Sequence, residues 1–101
     1  MFDNDKFITK GVQQNIPLEL QFFIWNCINM LKNQYKQIDY LQVFELTKQR
    51  ADDIFFQKIE HRQEVPQYIK TYNIFSSKMV DAKLFVIDDG TYSTMMLAGE
   101  Y

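Results

Sequence analysis

At 101 residues the chain is sized for one domain built around one core. A composition of 47% hydrophobic and 24% charged residues excludes a disordered tail, and a net charge of −2 is too small for polyanion binding through a strong basic field. The single cysteine, Cys27, excludes an internal disulfide and any cysteine-rich metal framework.

The longest apolar stretch, Phe22 to Trp25, is far below the ~20 residues needed to cross a bilayer. With no basic-then-apolar leader at the start, the cytoplasm is the expected compartment and no membrane partner is expected. Nine Phe, six Tyr and one Trp make the chain rich in large rings, which favour sheets and interfaces. Charge is uneven in this slightly acidic chain. Residues 20–50 carry four bases against two acids, whereas residues 81–101 carry one base against four acids.

In chain order, Lys6 to Val12 (KFITKGV) reads as a first strand ending near Gly11. Pro17 suits a first helical turn, and Glu19 suits the positive end of the helix dipole. The spacing of Ile16, Leu20, Phe23, Ile24, Cys27, Met30 and Leu31 predicts a helix from Ile16 to Gln34. Leu41 to Thr47 reads as a strand, Lys48 to Asp52 as a polar turn, and Asp53 to Gln63 as the returning strand. After Pro66, Gln67 to Phe75 alternates again. Lys83 to Ile87 and Thr91 to Ala98 then flank Asp88-Asp89-Gly90, a hairpin signal in which both central positions want positive φ. The expected fold is a single α+β domain over residues 1–101. One long N-terminal helix packs on a mostly antiparallel sheet of five or six strands, in hairpin order after the helix.

Several segments also look familiar together: FITKGV at 7–12, IPLELQFFIWNCINMLK at 16–32, DYLQVFEL at 39–46, IEHRQEVP at 59–66 and FVIDDGTYSTMMLAGEY at 85–101. They resemble a family of small uncharacterised proteins, a domain of unknown function from staphylococci and related Gram-positive bacteria and their mobile elements. The resemblance covers nearly the whole chain and carries no catalytic motif. It implies an accessory product of a phage or chromosomal cassette, a setting in which small proteins bind and modulate a host or element protein.

Candidate chemistry is sparse. Cys27 and His61 are the only thiol–imidazole pair, but Cys27 sits on the apolar stripe in mid-helix, where a free thiol acts as a small hydrophobe. His61 reads as part of a solvated, charged strand end. Its neighbour Glu60 points to the opposite face and cannot join it at a metal or as a general base. Asp88-Asp89 could offer oxygens to a hard cation, yet Asp before Gly is also what a tight turn requires. No phosphate loop, nucleophile elbow or spaced His or Cys cluster occurs, so no cofactor, metal or catalytic residue is expected.

The helix holds the strongest interaction signal. Leu18, Phe22 and Trp25, with Ile28 adjacent, form a second apolar line beside the core stripe, and Gln21, Asn26, Asn29, Lys32 and Asn33 are the candidates for its polar far side. That line predicts a non-enzymatic protein-interaction or regulatory accessory protein, whose partner is another protein or a second copy. The final strand, if it is an edge, offers a pairing surface. The alternative is a nucleic-acid-associated accessory protein binding through the basic stretch 32–62, with Lys48, Arg50, Lys58 and Arg62 as contacts. Neighbouring acids Asp52, Asp53, Glu60 and Glu64 weigh against it.

Overall fold

The computed structural model describes residues 1–101. In chain order it contains β1 (Asp5–Ile8), α1 (Lys10–Asn15), α2 (Leu18–Gln34), β2 (Leu41–Ala51), β3 (Ile54–Gln63), β4 (Tyr68–Ile74), β5 (Ala82–Asp88) and β6 (Tyr92–Leu97), with a closing 3₁₀ turn at Ala98–Glu100. The strands form one sheet in the order β1-β6-β5-β2-β3-β4. Only β1–β6 is a parallel pair. The α+β class is as expected, although the long helix follows a strand and a short helix and so is not the first element.

Three local expectations are corrected. The predicted first strand ends at Ile8, and Lys10–Asn15 is helical instead. The Thr9 hydroxyl accepts from the Val12 N–H as an N-cap, and Val12 is buried. A second support lies 89 residues away, where the Glu100 carboxylate accepts from the Gly11 N–H and the Thr9 hydroxyl. Sequence periodicity cannot register such a partner.

Second, Lys48 to Asp52 is not a turn. β2 and β3 pair from Val43↔Arg62 through to Ala51↔Ile54, so only Asp52 and Asp53 turn the chain, with Asp52 left-handed at φ 55°. The Arg50 guanidinium closes that corner by donating to the Asp52 carbonyl and the Asp53 carboxylate. Third, the Asp-Gly hairpin turns one residue later than expected. Asp89 N–H donates to the Tyr92 carbonyl, which makes Gly90 and Thr91 the central pair, and only Gly90, at φ 97°, lies in the positive region.

The order of the sheet also departs from simple hairpins. After β4 the chain crosses back to place β5 beside β2, so β6 lies between β5 and β1, and the sheet edges are β1 and β4. The final strand is therefore not an edge. The crossing segment is held by Gln57, whose amide donates to the Val80 carbonyl and accepts from the Val80 N–H. Glu19 tethers it too, accepting from the Ser76 hydroxyl and from both the hydroxyl and N–H of Ser77.

The core lies on one side of the sheet. α2 buries Leu20, Ile24, Cys27, Ile28 and Leu31 against Phe44, Leu46, Ile59, Leu84, Val86 and Met95, each of the latter on the same sheet face. α2 begins at Leu18 rather than Ile16, so Pro17, expected within the first turn, serves as its N-cap. Met30 is exposed, although the stripe had placed it in the core, and Gln21 is buried, although it was assigned to the polar side. The Gln21 amide reaches this position by donating to the Ile16 carbonyl.

A side chain at Gly11 would bring its Cβ within 2.6 Å of the Glu100 carboxylate and push it off its donors. Gly11→Ala and Glu100→Ala are each expected to lower the urea midpoint. The double variant is expected to unfold at no lower urea concentration than Glu100→Ala alone, because both lesions remove the same contact. A fully additive loss in a double-mutant cycle would contradict this pairing.

Candidate functional site

Leu18 and Phe22 lie one turn apart on α2 and are 62% and 60% exposed, pointing away from the sheet. Trp25 is half-buried against the core, with the Lys6 ammonium 5.8 Å from its ring centroid. Ile28 is 1% exposed and belongs to the core, not to this surface. The four residues singled out on the helix thus divide: two present a free apolar ridge, one forms its flank, and one is interior. Beside the ridge, Leu18 joins Ile8, Pro17 and Gln13 in lining a shallow groove of about 370 Å³.

The four basic candidates are not brought to one surface. In the β2–β3 register Lys48 and Arg50 continue the face that carries Phe44 and Leu46, whereas Lys58 and Arg62 lie on the opposite face. Lys48 and Arg50 stand over the Phe55 ring, at 4.9 and 5.6 Å, where the hairpin extends beyond its neighbours β5 and β4. Arg62 is occupied by Glu60 at 2.8 Å and Glu45 at 3.2 Å. Alternation along a strand separates what proximity in sequence had grouped.

The groups with reactive atoms are sealed beneath α2. His61, expected on a solvated strand end, is fully buried and stacked on Phe44 at 4.2 Å. Its Nε2 lies 2.6 Å from Gln42 Oε1. The Gln42 amide nitrogen donates to the Asp39 carbonyl and to Gln63 Oε1, and Gln63 in turn donates to the Pro66 carbonyl. This chain of donors fixes the amide orientations. Nε2 must therefore carry the proton, and Nδ1 is left as a buried acceptor with no partner. Burial of the ring lowers the His61 pKa from 6.5 to about 4, since a proton on Nδ1 would find no acceptor.

Cys27 is buried as expected, and its burial pushes the thiol up to about 12. The Tyr68 and Tyr72 hydroxyls, both raised chiefly by burial, lie close enough to influence one another but neither makes a hydrogen bond. Neither Cys27 nor His61 presents its reactive atom to solvent. Asp88, the other candidate, is buried with its carboxylate accepting from the Phe2 N–H, the Gly90 N–H and the Asn4 amide. Burial works to raise its pKa, but those hydrogen bonds outweigh burial and hold the carboxyl below the usual range. Its observed role is to anchor the N-terminal segment and the turn. Sequence reasoning missed the glutamines that complete this interior; a Gln at an inward position of an alternating strand is the available signal.

The fold and surface define a two-layer α+β domain with an exposed apolar helix ridge and a sealed polar interior. Residues 5–100 match the family described as staphylococcal protein of unknown function (DUF960), and the chain belongs to that family. A crystal structure of a protein of unknown function from Enterococcus faecalis shares the fold, with a TM-score of 0.78 and 20% identity over 98% of this chain and 92% of the other. No curated protein matches the sequence.

Because the unfolded chain takes up a proton at His61 near pH 6.5 and the folded chain only near pH 4, stability is expected to fall as pH drops through that window. The total loss is about 3 kcal/mol, at 1.36 kcal/mol per unit. Urea unfolding at a series of pH values should show this slope in the native sequence and a much shallower one in His61→Phe, whose remaining fall at the acid end comes from carboxylates such as Glu19 and Asp88 held below their usual pKa. Cys27 is likewise expected to resist thiol reagents at pH 8 until the domain is unfolded, as a colorimetric thiol assay with and without denaturant would show.

Proposed function

We propose that the domain is a non-enzymatic interaction module that binds another protein through the outer face of α2. The observation that carries this reading is the pair Leu18 and Phe22, which stand about 60% exposed on a 17-residue helix whose opposite side is locked into the core. A rigid helix with apolar side chains one turn apart can enter a partner's groove without ordering cost on its own side. The sealed positions of Cys27 and His61 favour binding over catalysis. The setting we infer is that of a regulatory accessory protein of a Gram-positive phage or mobile element, acting in the cytoplasm. The phage or mobile-element setting is what the sequence resemblance implies.

Affinity capture on the tagged domain from a staphylococcal lysate tests the reading. Phe22→Ser is expected to reduce recovery of a stoichiometric protein at least ten-fold while changing stability by under about 0.5 kcal/mol. Trp25→Ser is expected to cost about 2 kcal/mol, because half its ring is packed against the core. A partner retained undiminished by Phe22→Ser would refute the helix site. Nucleic acid that elutes at moderate salt and is lost in a Lys48→Ala, Arg50→Ala variant would support the nucleic-acid alternative instead.

A further inference from the structure

The second face of the sheet carries a different message from the helix. An antiparallel sheet with one wet side should alternate apolar and polar residues, whereas strands covered on both sides read as continuous apolar runs. β5 is such a run: Leu84 and Val86 face the helix, and Phe85 and Ile87 face away from it. Around them on the same open face stand Val43 of β2, Met96 and Tyr92 of β6, and Phe7 of β1. Phe7 and Tyr92 meet edge to face at 5.2 Å, and both are exposed. No α-helix or second sheet lies over this side; the C-terminal Tyr101 ring, itself 70% exposed, meets Phe85 edge to face at 5.5 Å and extends the apolar surface.

We infer that the open sheet face is the contact through which two copies of this chain associate, face to face, into a four-layer α/β/β/α dimer. Area supports a second copy. The domain measures 43 × 29 × 20 Å, and the smallest extent is that of one sheet plus one helix. The two larger extents bound the open face at roughly 1,200 Å² at most, which leaves room for the roughly 800 Å² per subunit of a standard stable interface. Charge supports it as well. On this face Lys58, Arg62 and Lys83 are balanced by Asp5, Glu45 and Glu60, so a copy meets its own surface without net repulsion even though the chain carries −2 overall. The association does not depend on the helix reading, because the two faces lie on opposite sides of the domain.

Sedimentation equilibrium of the purified domain from 1 to 200 µM provides the test. The native sequence is expected to be dimeric, with a Kd in the low micromolar range or below. Phe85→Glu is expected to raise Kd at least ten-fold, and Thr94→Lys on the same face to do the same should Phe85→Glu impair folding, as judged by circular dichroism. Phe22→Ser is expected to leave the dimer intact. A monomer throughout the range would overturn the inference. So would a dimer insensitive to both face variants, or one dissolved by Thr71→Pro in the β4 edge, which would instead identify edge-to-edge pairing.

Discussion

One helix is too narrow to roof six strands, and most of the architecture follows from that mismatch. A helix with its side chains is about 10–12 Å wide, while strands sit about 4.8 Å apart. α2 seals the centre of the sheet with Leu20, Ile24 and Leu31, and the flanks must be closed by other means. Towards β1, the N-terminal segment tucks Phe2 into the core, held by the Asp88 carboxylate at a left-handed φ of 60°. α1 adds Val12 alongside. Towards β4, Phe23 meets Tyr72 edge to face, and the crossing segment between β4 and β5 passes over the projecting hairpin.

Closing the flanks with loops and chain ends brings backbone polar groups indoors, and glutamines satisfy them. Gln57 pairs both its amide groups with Val80, presenting to a loop the same donor and acceptor that a neighbouring strand would. Gln63 does the same for Asp39 N–H and the Pro66 carbonyl. Glu19 holds the next stretch of the crossing segment, and its serine hydrogen bonds draw its pKa below the usual value. These polar side chains are structural groups, each accounted for by a backbone partner.

What could be read from the sequence was whatever local spacing encodes. The 3.6-residue recurrence from Leu20 to Leu31 located α2, alternation located β3 and β4, and apolar runs bounded by turn signals located β2, β5 and β6. Elements fixed by distant partners were not legible. α1 depends on Glu100, and the extension of β2 past Thr47 depends on its pairing with β3 and on Asp81 accepting from the Lys48 N–H. For the candidate ridge, spacing marked Leu18 and Phe22 but could not separate Ile28 from them. The width of the buried arc is set by how the sheet meets the helix, and a wheel drawn from sequence does not contain the sheet.

The buried His61–Gln42–Gln63 chain bears on register as much as on stability. A strand that slips by one residue exchanges its faces. In β3 such a slip would carry Gln57, His61 and Gln63 to the other face and drive Lys58, Glu60 and Arg62 under α2, stripping three charged groups of water. An aliphatic interior would punish that slip less sharply, whereas a polar chain satisfied in one arrangement alone excludes it. The same register decides which apolar side chains turn outward: Val43 and Phe85 face away from the helix because Phe44 and Leu84 face it. The inward polar network and the outward apolar surface are therefore two results of one pairing of β2 with β3 and β5.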